Sequence, residues 1–361
     1  DSLSTSVGYN TALGYLALSA DTLGQESVAI GAQALATQNF TGAVAAYNTA
    51  VGVSAGRLVT TGVSNTLIGG AAGDALQDAD YNTAVGMNAL GADTLGSSST
   101  AIGFEALKLQ NHTEATAVYG TAVGYQAGKN VSDGLRNTLI GAFAGYNQTD
   151  TDDNTAVGYA ALNTNVNGSA NTAMGHKALY TMNPASDLET HNVAVGYNAG
   201  HGVTTGSQNT LIGSLAGDAL TSGAGNTAVG YLALSTEDAH GYNTAVGHSA
   251  LSVYNAGATG NAVSVGYYSG FATTTAVDCT FLGVAAGAFC TTGDSSTFVG
   301  YRAGQGITGA KLTGNNNTAV GKDAGLLLQG AAAENCIFGA LAGDAITTGG
   351  ENCLFGMGAG G

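Results

Sequence analysis

One five-residue word, Asn-Thr-Ala-Val-Gly with close variants, recurs along the whole chain and limits the possible folds more than any other feature. It closes on 20 glycines, hereafter the column glycines, and most of the steps between them have the same length. Self-similarity at a fixed period indicates stacked structural repeats. Gly, Thr and Asn recur too often for helices, so each repeat should consist of short strands. The word therefore predicts an all-β, parallel β-solenoid of about 20 coils of 17–21 residues.

Each position in the repeat has an expected role. The residue before the column glycine is apolar in every copy, so we predict that it is buried in a strand. The coil should run as a short strand, a glycine bend, a second short strand and a loop. Asn at a fixed turn position can bond its copy in the next coil. The expected structural ladder comprises Asn48, Asn65, Asn82, Asn137, Asn154, Asn171, Thr49, Thr66, Thr83, Ala55, Ala72 and Ala89.

A longer period lies over the short one. Four positions after each column glycine the residue is only Leu or Gly, and it follows the order Leu-Leu-Gly-Gly four times. Four coils therefore form a 72-residue duplicated unit, which is clearest in 14–265. In 266–361 this position is always Gly, and Phe and Cys enter the coils. We predict one solenoid array over 1–361 whose C-terminal part has diverged.

The composition argues against several classes of function. The chain has 24 acidic residues against 8 Lys and Arg, a net charge of −16, so nucleic-acid binding is not expected. Only 9% of residues are charged, against about 25% in ordinary domains. No Ser, His and Asp have catalytic spacing, so we expect neither an enzyme nor a cofactor. No apolar run reaches about 18 residues, so no membrane insertion is expected either.

The coil word resembles the head repeats of trimeric autotransporter adhesins, most closely in the stretch 27–36, Ser-Val-Ala-Ile-Gly-Ala-Gln-Ala-Leu-Ala. The longer Asn-Thr-Ala-Val-Gly-Tyr form also looks like repeats in tail fibres of marine phages. The resemblance covers essentially the whole chain, although the coils here are longer than those of the adhesins and no neck or anchor segment is visible. It implies a left-handed β-roll, packed as a homotrimer, in an extracellular, cell-surface or virion protein.

Three loops of the longer coils, 37–47, 108–120 and 180–191, are candidate binding surfaces. Loops on a rigid stack often carry binding, here of a host surface glycan or receptor, although plain surface bulges are the alternative. The candidate residues are Asn39, Thr41, Asn111, His112, Asn183 and Pro184. A row of tyrosines follows the repeat glycine and could stack on glycans or pack against its neighbours: Tyr9, Tyr15, Tyr125, Tyr159, Tyr197, Tyr231, Tyr267 and Tyr301.

Two sets of residues have metal-binding or redox chemistry. Asp150, Asp152 and Asp153 could hold Ca²⁺, although they lack the glycine and distal Glu of an EF-hand, and a solvated loop is the alternative. Cys336 and Cys353 both stand at the Thr position, one repeat step apart, so they should lie in successive coils. Their side chains would point the same way, which disfavours a disulfide, and we interpret them as small apolar replacements for a buried Thr. Without a Cys-x-x-Cys motif, zinc is not expected.

Six Asn-x-Ser/Thr words are possible glycosylation sites if the source glycosylates proteins: Asn39, Asn111, Asn130, Asn147, Asn167 and Asn316.

Three functions fit a long repeat array. The first is a structural, fibre-forming shaft or head segment of a tail fibre or adhesin. The second is a subunit of an extracellular filament or sheath that stacks head to tail, because no capping coil is visible at either end of the sequence. The third is an ice-binding solenoid, because Thr ladders on a flat face can order water, although Thr here stands in a single rank. The start at Asp1 rather than Met suggests processing or a longer parent chain.

Overall fold

The computed structural model describes residues 8–256 and 260–361, and within these ranges the chain is an all-β, parallel β-solenoid without helices. The prediction of an all-β, parallel β-solenoid is thereby confirmed. The described residues divide into two compact units. The first unit contains 8–177 and 183–189, and the second contains 178–182, 190–256 and 260–361. Each unit contributes ten coils, so there are about 20 in all.

The first unit has ten three-residue strands, each ending just before a column glycine. They are Thr11–Leu13, Val28–Ile30, Thr49–Val51, Thr66–Ile68, Thr83–Val85, Thr100–Ile102, Thr121–Val123, Thr138–Ile140, Thr155–Val157 and Thr172–Met174. Six two-residue strands form three small parallel pairs, in which the second strand of each pair belongs to one of the long loops. These pairs are Gly24–Gln25 with Val44–Ala45, Gly96–Ser97 with Thr116–Ala117, and Gly168–Ser169 with Leu188–Glu189.

The second unit repeats the arrangement with ten strands of its own. They are Val193–Val195, Thr210–Ile212, Thr227–Val229, Thr244–Val246, Val263–Val265, Thr280–Leu282, Thr297–Val299, Thr318–Val320, Cys336–Phe338 and Cys353–Phe355. Within each unit the strands pair in parallel with no shift of register, so that equivalent residues of successive coils are partners. Every column of the sequence repeat therefore becomes a physical column of side chains about 4.8 Å apart.

The prediction of a second short strand in each coil is wrong. Four residues after each column glycine form a tight turn, in which two of the four have positive φ. In the coil of Gly86, for example, Asn88 has φ 56° and Leu90 has φ 51°. The alternation of left-handed and right-handed residues turns the chain through a corner instead of a second strand, although backbone hydrogen bonds still join the corners of successive coils.

The column glycines are required by both conformation and space. Gly69 has φ +136°, and a Cβ on it would lie 2.6 Å from the carbonyl oxygen of Gly86 in the next coil. Such a contact is far below van der Waals distance, and an L-residue rarely adopts this φ. The glycines therefore allow the corners of successive coils to stack backbone on backbone.

The predicted burial of the residue before the column glycine is also wrong. In each strand the middle residue points inward: Leu67 is completely buried, whereas Ile68 is 39% exposed. Alternation along a strand sends Thr66 to the same outer face as Ile68, where it is half-buried. The alanine three positions after the glycine completes the inner layer, and Ala55, Ala72 and Ala89 are fully buried.

Asparagines link successive coils through both ends of their amide groups. The Oδ1 atom of Asn48 accepts a hydrogen bond from the backbone N–H of Asn65 at 2.9 Å, and Asn65 Oδ1 accepts from Asn82 N–H at 2.9 Å. Asn48 Nδ2 donates to the carbonyl of Gly62 at 2.7 Å. The same coil-to-coil bond joins Asn137 to Asn154 and Asn154 to Asn171, at 3.0 Å each. Each buried amide thus fixes the corner of its coil and the start of the next strand.

Candidate functional site

The outer face of the sheet carries an unusual amount of apolar surface. Its apolar column, defined as the residue before each column glycine, holds Val, Ile, Leu, Met or Phe in every copy. In the first unit four large members are about two-fifths exposed: Ile68 39%, Ile102 38%, Ile140 39% and Met174 42%. In the second unit Ile212 and Leu282 are 40% and 48% exposed. Contiguous apolar surface on a soluble chain can mark a site of contact with another molecule.

The residue after the column glycine carries an aromatic or histidine ring in ten of the 20 coils, and these rings form an aromatic column beside the apolar column. In the first unit the rings of Phe104 and Tyr125 stack with centroids 5.3 Å apart and planes 12° apart. Tyr159 and His176 stack at 5.3 Å and 15°. In the second unit, rings of the column follow one another at 5.1–5.3 Å, from Tyr231 through His248 to Tyr267.

Stacking along the column determines what these rings can bind. Tyr125 and Tyr159 are each 49% exposed, but a neighbouring ring covers one flat face of each. A sugar stacks on a free flat face, whereas here the exposed part is largely a row of ring edges. The aromatic column therefore widens the apolar stripe more readily than it forms a series of sugar platforms.

The candidate loop residues divide into exposed and buried sets. Asn39, Thr41, Asn111 and Asn183 are exposed, whereas His112 and Pro184 are buried. The interpretation of His112 and Pro184 as surface binding residues is therefore wrong. Both are held by the coil beneath them: the Pro184 carbonyl accepts from Asn167 Nδ2 at 3.0 Å, and His112 lies over Asp93. The short parallel strand pairs hold part of each loop against the stack.

Sequence reasoning missed a set of buried acids and amides seven residues after certain column glycines. Asp21, Asp93, Asn165 and Glu237 recur at the 72-residue period and are completely buried. Each accepts a hydrogen bond from a backbone N–H three residues later, at 2.8–3.0 Å. The long period could have revealed them, had this position been compared between repeats. Such a buried cap satisfies a backbone donor where the chain leaves the corner.

One member of this set, Asp93, lies against the buried imidazole of His112. His112 Nδ1 lies 3.6 Å from Asp93 Oδ2, and Gln110 Nε2 donates to the same oxygen at 2.6 Å. Burial would raise the pKa of Asp93, but hydrogen bonds from His112 and Gln110 and from backbone N–H groups outweigh it, so this pKa is lowered. Burial would lower the pKa of His112, but Asp93 and the carbonyl of Asp133 outweigh it, so this pKa is raised. The folded coil therefore favours the charged form of both groups.

The candidate calcium ligands have other partners. Arg136 pairs with Asp153 at 2.6 Å and with Asp152 at 3.2 Å, and Asp150 accepts from Ser132 Oγ at 2.7 Å. The hydrogen bonds and charge of Arg136 lower the pKa of Asp153. Asp152 and Asp153, with Arg136, line a groove of about 420 Å³. One guanidinium thus already occupies two of the three carboxylates that a calcium ion would need.

Within the described ranges, one cluster brings three potential metal ligands within 4.8 Å of one another, and it is not the candidate calcium set but Glu237, Asp238 and His240. Glu237 is buried, and its two oxygens accept backbone hydrogen bonds from His240 and from Ala256. Glu237 Oε1 also lies 3.0 Å from His240 Nδ1. The arrangement is the same backbone cap that Asp21 and Asp93 provide, with a histidine added.

The four cysteines are free and divide into two pairs. Cys279 and Cys290 are buried, and burial raises the pKa of Cys279 to about 11. Cys353 is exposed and Cys336 is half-buried. These two lie on the outer face, in the column that Thr occupies elsewhere, so their interpretation as replacements for a buried Thr is wrong.

The six candidate glycosylation motifs also differ in accessibility. Asn39, Asn111 and Asn316 are exposed, and Asn147 is half-buried. The amide nitrogens of Asn130 and Asn167 are already donors within the stack, to Asn147 Oδ1 and to the carbonyl of Pro184 respectively. The exposed three are the sites that a glycosylating enzyme could reach.

No model of a known protein family matches the chain, and no curated protein sequence matches it. In residues 8–256 and 260–361 we find no helix with the length and apolar character needed to cross a membrane.

Proposed function

We propose that the chain is a structural, fibre-forming protein that assembles with copies of itself through the outer face of its sheet. The observation that carries the proposal is the apolar column, in which Ile68, Ile102 and Ile140 of the first unit stay about two-fifths exposed. Burying such a stripe against another copy would be favourable by roughly 25 cal/mol for each Å² of apolar surface. The aromatic column adds ring edges along the same border.

The solenoid itself supports a mechanical role. The columns of glycine and alanine repeat with hardly any change, and the asparagine column holds in 14 of 20 coils. Each column serves the stacking of one coil on the next. Function that depends on length and rigidity needs only this repetition. The homotrimer and the left-handed coil that the adhesin resemblance implies belong to the proposal, as does a place outside the cell or on a virion.

Attachment to a host or surface is the second part of the proposal. The exposed loop residues Asn39, Thr41, Asn111 and Asn183 are the positions that we assign to contact with a surface glycan or receptor. They project from loops whose neighbouring segments are fixed to the stack by strand pairing. A rigid scaffold with exposed polar loops is a common arrangement for binding.

The test of self-assembly is the mass in solution of the intact chain and of a charged variant. The variant carries Ile68→Lys, Ile102→Lys and Ile140→Lys on the outer face of the first unit. A control variant carries Gln77→Lys, Thr113→Lys and Ser186→Lys, three exposed positions elsewhere on the same unit. Light scattering gives the mass, and circular dichroism reports whether each variant keeps its β structure.

We expect the wild type and the control to have three times the mass of one chain, and the face variant to be a folded monomer. A wild type that is monomeric at micromolar concentration would contradict the proposal. Filaments of variable length that persist in the face variant would replace side-by-side packing with head-to-tail stacking.

A further inference from the structure

Two thiols stand side by side on the outer face of the second unit. Cys336 and Cys353 are register partners in neighbouring parallel strands. Both side chains take the outward position that Thr318 occupies in the preceding coil. Cys353 is exposed and Cys336 is half-buried, and neither is in a disulfide. The site is therefore a pair of thiols that reagents in water can reach.

The geometry of a parallel sheet sets the distance between the thiols. Register partners lie about 4.8 Å apart, and their side chains leave the sheet in the same direction. A disulfide needs its Cβ atoms about 3.5–4.5 Å apart and its sulfurs about 2.05 Å apart. Two parallel side chains at the strand spacing do not meet this condition without movement of the backbone.

A metal ion held linearly between two thiolates has a different requirement. With metal–sulfur bonds of about 2.3 Å, the two sulfurs must be roughly 4.6 Å apart. This separation is close to the spacing of the strands themselves. Thiolate ligands select soft ions, and Cu(I) is the common biological example. We propose that Cys336 and Cys353 form a two-coordinate site for a soft monovalent cation of the Cu(I) type.

The surroundings favour such an ion. Two residues farther along each strand, on the same outer face, Phe338 and Phe355 stack with their centroids 4.9 Å apart. These rings give the thiols an apolar border, which suits a soft, weakly hydrated cation. The chain as a whole carries a net charge of −16, which favours cations over anions. On binding, each thiol releases its proton to water and the metal keeps its oxidation state.

The other two cysteines serve as an internal control. Cys279 and Cys290 are completely buried, and burial raises the pKa of each, so they remain protonated thiols. Cys279 Sγ donates to the carbonyl of Gly293 at 3.3 Å. They should neither bind the ion nor react with a thiol reagent in the folded chain. Both thiols of the site belong to one chain, so binding the ion does not require the proposed assembly, although that assembly would cover the same outer face.

The experiment uses the full chain without oxygen and Ag(I) as a redox-inert probe. Calorimetric titration measures Ag(I) binding to the wild type, to Cys336→Ser and to Cys353→Ser, and a thiol reagent counts the reactive cysteines. We expect one tight site per chain, protection of two thiols by the metal, and a loss of affinity of more than about 100-fold in each variant.

Two outcomes would overturn the proposal. The first is an affinity for Ag(I) that stays the same in both serine variants. The second is the rapid formation of a bond between Cys336 and Cys353 under mild oxidation of the folded chain. That bond would mean that the sulfurs already approach each other too closely for a linear metal site.

Discussion

Leu139 fills the space that Gly145 leaves open in the same coil. A Cβ on Gly145 would lie 2.7 and 2.9 Å from the two Cδ atoms of Leu139, and one on Gly128 in the coil before would lie 2.7 Å from Leu139 Cδ1. One leucine in the strand therefore occupies the volume of two glycines at the corners. The Leu-Leu-Gly-Gly order follows from this. In the coils with a leucine at the corner, the inward residue in the middle of the strand is alanine, as with Ala101 and Leu107.

An exchange of the two residues should be tolerated far better than either change alone. Leu139→Ala leaves a cavity and should cost about 2–5 kcal/mol. Gly145→Leu overpacks the core and should cost about 1–3 kcal/mol or more. The double variant recreates the set Ala101, Leu107 and Gln110, because Gln148 already stands at the third position. Thermal unfolding should place it closer to the wild type than either single variant.

The backbone permits this exchange, since Leu107 has φ 46° and Gly145 has φ 57°. The double variant should still be somewhat less stable than the wild type, because Leu139 also fills the space beside Gly128. If the two single losses simply add in the double variant, the two positions do not share one volume.

The column glycines should be far less tolerant than other glycines. Gly69→Ala combines a φ of +136° with a contact to the carbonyl of Gly86, so it should cost more than about 2 kcal/mol. Gly42 is a matched control, because a Cβ there meets nothing within 4 Å. Gly42→Ala should unfold at the temperature of the wild type. Equal melting temperatures for the two variants would mean that the corners can move apart at little cost.

The fold class followed from the sequence because the period is physical: in-register stacking requires the same side chain at the same place in each coil. What the period leaves open is the direction of each column. Ile68 and Leu67 are both apolar, and only the corner at Gly69 decides that Leu67 points inward. That corner contains left-handed residues such as Ala71, which no propensity rule predicts for an alanine.

The contact between the buried residues Asp93 and His112 could not be predicted from the sequence, for a different reason. Asp93 and His112 lie in different coils, and neither belongs to the recurring word of the repeat. Their contact depends on the exact path of a long loop, which composition and spacing do not determine. The exposed ends of the same loops, such as Asn111, were placed at the surface correctly because they are polar and lie beyond the strands.

Replacing Cys279 with asparagine, the residue that most coils have at this position, should stabilise the second unit. Cys279 occupies the Asn position, and its Sγ donates to the carbonyl of Gly293 as an amide does elsewhere. Cys279→Asn should form that bond more strongly and add an acceptor for the backbone N–H of Ser296. We expect a gain of about 0.5–1.5 kcal/mol in thermal unfolding, with Cys279→Ala below the wild type as the control. An asparagine variant less stable than the alanine variant would contradict this assignment.

The pair of Asp93 and His112 should make stability depend on pH, and the chain supplies its own control. In the preceding long repeat Phe40 stands where His112 does, above Asp21 and Gln38. His112→Phe should therefore fold without a histidine at this site. The pKa of His112 is raised in the folded protein. The stability that protonated His112 contributes is therefore fully present below about pH 6.5, its pKa in the unfolded chain, and is lost as the pH rises through its pKa in the folded chain.

The pKa of Asp93 is lowered in the folded protein. The stability that the Asp93 carboxylate contributes is therefore present above about pH 3.9, its pKa in the unfolded chain, and is lost as the pH falls through its pKa in the folded chain. The difference in melting temperature between the wild type and His112→Phe should thus be largest between about pH 4 and 6.5 and should shrink toward pH 9. Thermal unfolding of both proteins at intervals of one pH unit measures this difference. A difference that stays constant from pH 4 to 9 would mean that His112 remains neutral in the folded coil and acts only through its shape.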